Sequence, residues 1–81
     1  VPDKSLDFVY IDGLHDFDNA MLDLIVWGRK VRPGGIVAGH DYWPLYGGDV
    51  VGAVNAYTVA HHITEWYVTR EKSCSFLWLK K

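Results

Sequence analysis

Apolar residues along the chain fall into two short runs with a helical repeat between them. Residues Leu6–Ile11 are β-branched and aromatic and stop at an Asp-Gly pair, which is typical of a strand buried on both faces. A second apolar run, residues 35–39, predicts another buried strand. Between them apolar residues recur at helical spacing, which predicts an amphipathic helix. This order predicts a right-handed βαβ unit with two parallel strands.

The ends of the predicted helix carry capping and charge signals. Asp16 is a suitable N-cap, and Arg29 and Lys30 lie in the last turn, where they complement the helix dipole. The Arg-Pro-Gly-Gly sequence at 32–35 predicts a stop near Val31. The residues predicted to face the core are Phe17, Ala20, Met21, Leu24, Ile25 and Trp27.

The second half of the chain predicts a helix and a hairpin. Residues 50–63 follow a loop rich in aromatic residues, proline and glycine, and favour a helix. The inward residues predicted for this helix are Val51, Val54, Val59 and Ile63. Residues 65–69 and 75–79 are strand-like and close enough in sequence to form an antiparallel hairpin. The sequence therefore predicts one partial α/β domain over residues 1–81, with a partial Rossmann-like sheet.

Charge and composition narrow the classes of partner. The formal net charge is −2 and the basic residues are scattered, so we expect no nucleic-acid partner. No apolar run is long enough to span a bilayer, and residues 1–7 do not resemble a signal peptide, so we expect no membrane association. The single cysteine, Cys74, cannot form an internal disulfide. These features predict a cytoplasmic protein.

Polar residues end both predicted parallel strands. Asp12 follows the first strand, and His40 and Asp41 follow the second, so we expect them at one edge of the sheet, where α/β proteins place ligands. Carboxylate oxygens suit Mg²⁺ or Mn²⁺, which would lower the pKa of a substrate hydroxyl. In the alternative interpretation Asp12 caps a turn, His40 packs against Tyr42 and no metal binds. The adjacent histidines at 61–62 are poorly placed to share one metal ion, because neighbouring helical side chains point about 100° apart. They are interpreted as surface residues or as residues that complement the helix dipole.

Residues beside this edge have competing interpretations. His15 is a candidate general base, since its ordinary pKa of about 6.5 suits proton transfer, and a hydrogen bond to a backbone carbonyl is the alternative. Tyr42, Trp43 and Tyr46 either form the wall of an acceptor pocket or cover the end of the sheet.

Two segments together carry a family resemblance. LDFVYIDGLH at 6–15 and VRPGGIVAGHDY at 31–42 are similar to class I S-adenosylmethionine-dependent methyltransferases, in particular to the metal-dependent small-molecule O-methyltransferases of the macrocin type. The resemblance extends over residues 6–79, because that fold also ends in an antiparallel hairpin. Leu14 stands where relatives often have an acidic residue, which puts a carboxylate base at that position in doubt.

The resemblance implies methyl transfer to a hydroxyl of a small molecule. It implies that Asp12 and Asp41 bind the cation, with His40 as a weaker third ligand. It also implies that Asp12 and Gly13 lie on the side of the S-adenosylmethionine donor, with His15 beside them as the candidate base.

The glycine-rich loop that holds the donor in such enzymes has no counterpart in the sequence, which contains no GxGxxG or close variant. We therefore expect the acceptor and metal half of a methyltransferase domain, inactive alone, whose partner is an N-terminal half or a second copy of the chain. Two alternatives are a non-catalytic module that self-associates and another metal-dependent α/β enzyme such as a hydrolase.

Overall fold

The sheet has four strands, and its order along the sheet is β1, β2, β4, β3. A computed structural model describes residues 1–13, 16–42, 49–71 and 74–81. The elements are β1 (Leu6–Ile11), α1 (Phe17–Lys30), β2 (Val31–Gly39), α2 (Asp49–Ala60), β3 (Tyr67–Val68) and β4 (Phe76–Leu79). β1 and β2 are parallel, and β4 runs antiparallel to both β2 and β3. The predicted α/β class, the βαβ unit and the closing hairpin are confirmed.

Helix α1 begins at the predicted cap. The Asp16 carboxylate accepts hydrogen bonds from the side chain of Asn19 at 2.9 Å and from its backbone N–H at 3.1 Å. These two bonds hold the pKa of Asp16 below its usual value, the side-chain bond contributing most. The helix ends at Lys30 because Val31 takes an extended backbone, with φ −80° and ψ 132°, and starts β2 at once.

Strand β2 begins earlier than the sequence predicts. Leu6 pairs with Val31, but Phe8 pairs with Ile36, so the strand register shifts across the segment predicted to be a turn. Gly34 accommodates this irregularity with φ 89°, a conformation that favours glycine. The turn residues are thus absorbed into the strand as a bulge.

Helix α2 ends before the predicted position because the chain reverses at His62, whose φ is 56°. The N–H of Ile63 donates to Thr58 O at 2.8 Å, and the N–H of His62 donates to Val59 O at 3.2 Å, which closes the helix in a Schellman motif. The prediction that Val59 faces inward is wrong, since it is 76% exposed. Val54 faces inward as predicted.

Both helices pack on one face of the sheet. The buried core lies between them and the sheet, and it consists of Ala20, Leu24, Val31, Val37, Val50, Ala53, Val54, Phe76 and Trp78. On the opposite face Phe8 and Tyr10 of β1 remain 54% and 44% exposed, so the prediction that β1 is buried on both faces is wrong for this chain. No helix in the described residues is long and apolar enough to cross a membrane.

Candidate functional site

The three predicted metal ligands lie together at the carboxyl edge of the parallel strands. Asp12, His40 and Asp41 each offer one ligand atom, and these atoms all lie within 4.8 Å of one another. Two backbone features bring them there: Ile11 pairs with Gly39, and the N–H of His40 continues the ladder by donating to Ile11 O at 2.9 Å. The expected convergence of these residues is therefore present.

Asp41 is the most constrained member of this cluster. It is only 7% exposed, and its φ of 63° lies in the left-handed region, which aspartate tolerates at a cost. His40 Nδ1 lies 2.9 Å from Asp41 Oδ1. Nδ1 thus faces that carboxylate, and Nε2 is the other ring nitrogen of His40 that a ligand can approach.

Three contacts describe the surroundings of these residues. The N-cap of α1 is Asp16, as predicted, and residues 14–15, between Asp12 and that cap, are not among the described residues. The ring of His40 lies 6.3 Å from the ring of Tyr10. Tyr42 packs edge-on against Trp66 at 5.6 Å and donates to Asn55 Oδ1 in α2 at 2.8 Å.

A hydrogen-bonded chain beside the cluster was not predicted from the sequence. Ser75 lies opposite His40 on the neighbouring strand, because β2 and β4 are antiparallel and Gly39 pairs with Phe76. The Ser75 hydroxyl donates to Glu71 Oε1 at 2.9 Å and lies 3.1 Å from the Tyr10 hydroxyl, which therefore donates to it. These hydrogen bonds link β1 to the segment between β3 and β4, on the exposed face of the sheet.

The hydroxyl of Thr69 completes this chain by donating to Glu71 Oε1 at 2.8 Å. The bonds from Thr69 and Ser75, in that order of importance, hold the pKa of the Glu71 carboxyl below its usual value. Both hydroxyls reach the same oxygen, and among the described residues no hydrogen bond reaches Oε2. The sequence did contain one signal for these hydrogen bonds. Side chains alternate between the two faces of a strand, so Ser75 shares a face of the sheet with Leu77.

Gly13 lies where a shallow groove follows the open edge of β1. The groove has a volume of about 320 Å³, and its other wall is formed by Asp23 and Trp27 of α1. A Cβ at position 13 would lie 2.6 Å from Asp23 Oδ2, so glycine keeps this end of the groove clear. Asp12 and Gly13, the residues predicted on the donor side, thus border an accessible groove.

Several predicted residues lie elsewhere or outside the described residues. His15, Trp43 and Tyr46 belong to the segments 14–15 and 43–48, which are not among the described residues. His61 and His62 are exposed at the end of α2, as predicted for surface residues.

The sequence of the first two strands and the helix between them matches a known family. Residues 1–42 match the family model of a methyltransferase domain. The chain belongs to this methyltransferase family. The matched residues include β1, α1, β2 and all three members of the cluster.

Membership in the family establishes the general chemistry, which is methyl transfer from S-adenosylmethionine. It favours this chemistry over the hydrolase alternative. A comparison with curated proteins found no match to this methyltransferase chain.

Proposed function

We propose that this methyltransferase chain forms the acceptor side of an active site that methylates a hydroxyl of a small molecule, with a divalent cation held by Asp12, His40 and Asp41. The observation that supports this proposal most strongly is the convergence of two carboxylates and an imidazole within 4.8 Å at the carboxyl edge of the sheet. Ligands of open α/β sheets bind at that edge.

The donor set fits Mg²⁺ or Mn²⁺. Carboxylate oxygens are preferred by both ions, and Mn²⁺ also accepts imidazole nitrogen. Ligand atoms about 2.1 Å from an ion on opposite sides are about 4.2 Å apart, so atoms within 4.8 Å need only small side-chain movements to bind one ion. When bound, such a cation supplies Lewis acidity that lowers the pKa of a coordinated hydroxyl and fixes its position.

The residues of the chain have separate roles in this proposal. Asp41 is held rigidly by burial and by His40, so its carboxylate is pre-oriented, whereas the exposed Asp12 adjusts to the ion. The donor contributes an electrophilic methyl group. Gly13 leaves room for that donor at the end of the groove along β1.

The hydrogen-bonded chain from Tyr10 through Ser75 to Glu71 supports an acceptor with more than one polar group. Its outer member, Glu71, is an exposed carboxylate with Oε2 directed to no partner among the described residues. Such an oxygen accepts a hydrogen bond from a second hydroxyl of the acceptor, which would set the orientation of the first.

We further propose that donor binding requires elements supplied by an N-terminal half of the domain or by a second copy. Two observations support this: the sequence has no glycine-rich donor loop, and β1 is an edge strand that exposes Phe8 and Tyr10 on one face. Unpaired edge amides and apolar surface both favour association.

The proposal is tested by calorimetry of the 81-residue chain with S-adenosylmethionine. We expect no binding, or a dissociation constant above about 0.1 mM, because the donor cradle is incomplete. Light scattering on the same sample should give at least twice the chain mass of 9.2 kDa. Low-micromolar donor binding by a monomer would contradict the division into halves.

A further inference from the structure

One face of the sheet is apolar and is covered by neither α1 nor α2. Both helices pack on the opposite face, where Val37, Phe76 and Trp78 are buried. Because side chains alternate along a strand, the residues next to these three point to the uncovered face. There the strand pairing forms two continuous rows: Phe8, Ile36 and Leu79 in one, and Tyr10, Ala38, Leu77 and Tyr67 in the other. We call these seven residues the open face.

The large side chains of the open face keep much of their surface in contact with water. Tyr67 is 61% exposed and Leu79 is 63% exposed, while Phe8 and Tyr10 are half-buried. At roughly 200 Å² for each complete side chain, these four together expose about 450 Å². Apolar patches of about 300–600 Å² are the largest on a typical monomer and often mark interaction sites. The open face is therefore large enough to bind another macromolecule.

The hydroxyl groups on this face can be buried at little cost. The Tyr10 hydroxyl lies 3.1 Å from Ser75 Oγ, and the Ser75 hydroxyl donates to Glu71 Oε1 at 2.9 Å. A second surface can therefore cover Tyr10 and Ser75 without leaving an unpaired hydroxyl, which is the usual cost of burying polar groups. Tyr67 lies on β3 at the edge of the sheet, where its hydroxyl stays in water.

A second copy of the chain suits the open face better than a small molecule or a charged partner. Small-molecule sites are concave, whereas a sheet face is not. All seven residues are uncharged, so they cannot select an acidic or a basic partner. Two copies would bury about 900 Å² from the four large side chains alone. The partly buried Ile36 and Leu77 raise this area to the roughly 1,000 Å² that a stable interface needs.

We propose that the open face is a homodimer interface, in which two sheets pack face to face about 10 Å apart, as in a β-sandwich. A two-fold axis closes this contact, so association stops at two copies. The dimer rests on the proposed function, in which a second copy is one possible partner, and it places that copy on the sheet face rather than at the β1 edge. The cation cluster lies at the ends of the strands and stays accessible in the dimer.

Leu79→Lys tests this interface by light scattering and sedimentation equilibrium of the 81-residue chain. β4 is paired on both sides, so this substitution changes the sheet face and leaves the β1 edge intact. We expect the wild type to have twice the chain mass of 9.2 kDa. Leu79→Lys should raise the dissociation constant of the dimer at least about tenfold, because each buried lysine lacks a partner.

Val59→Lys is the matched control, since Val59 is an exposed apolar residue on α2, and it should leave the dimer unchanged. Circular dichroism reports whether each variant is folded, and Tyr67→Lys on the edge strand replaces Leu79→Lys if that variant unfolds. Mn²⁺ should bind monomeric Leu79→Lys as it binds the wild type, so the interface and the cation site can fail separately. A monomeric wild type would overturn association with a second copy altogether. A dimer that both open-face variants leave intact would overturn only this interface.

Discussion

Replacing Asp41 with asparagine is expected to weaken Mn²⁺ binding by at least about tenfold. Loss of residues that only orient metal ligands already costs tenfold or more, and Asp41 is proposed as a direct ligand. Its carboxylate is buried and held beside His40, so it is oriented before an ion binds. Asparagine tolerates the left-handed backbone of Asp41 as well as aspartate does, which keeps the fold intact.

Electron paramagnetic resonance of free Mn²⁺ measures this change directly. The wild-type affinity is expected to be weak, with a dissociation constant on the order of 10⁻⁴ to 10⁻³ M, because the cluster offers only three protein ligands. Asp3→Asn is the control, because it removes the same charge from an exposed position before β1. If both variants bind Mn²⁺ like the wild type, the cluster is structural and holds no cation.

Gly39→Ala is expected to destabilise the fold by about 2–3 kcal/mol, the upper range for overpacking a core. An added Cβ would overlap the ring of Phe76, with Cε2 at 2.5 Å, and would lie 2.9 Å from Ile11 O. The backbone contact cannot relax without separating β1 from β2. At about 4–8 °C per kcal/mol for a domain of this size, the melting temperature should fall by more than about 8 °C.

Thermal unfolding followed by circular dichroism measures this effect, and Gly52→Ala is its matched control. Gly52 lies inside α2, and a Cβ there would make only an ordinary contact of 3.6 Å with Phe17 of α1, so that variant should be more stable by up to about 1 kcal/mol. Adding Phe76→Leu to Gly39→Ala should recover part of the loss, since it removes the ring but not the Ile11 contact. A Gly39→Ala protein as stable as wild type would show that β1 and β2 are spaced differently.

Local signals in the sequence were sufficient for the βαβ unit. The Asp16 cap and the apolar spacing of α1 act within a few residues, and they located the helix and its buried Ala20 and Leu24. Phe17 and Trp27, also predicted to face the core, are 40% and 37% exposed, so that part of the prediction is wrong. The position of the cluster followed as well, because parallel strands must end at one edge. These inferences depended on the periods of helix and strand rather than on long-range packing.

Features that depend on long-range packing were not predictable in this way. Val59 has the same apolar character as Val54, and only the packing of α2 against α1 decides which is buried. The interaction of Tyr10 with Ser75 joins residues 65 positions apart and requires β4 to insert between β2 and β3. Sequence spacing alone does not specify that strand order.

Paramagnetic broadening by Mn²⁺ in ¹H–¹⁵N spectra of the chain tests the cation site most directly. The account predicts that the amide signals of Asp12, Gly13, His40 and Asp41 broaden first, that Mg²⁺ restores them, and that Asp41→Asn abolishes the effect. Broadening confined to the exposed histidines at 61–62, or equal broadening in Asp41→Asn, would contradict the proposed acceptor and metal site.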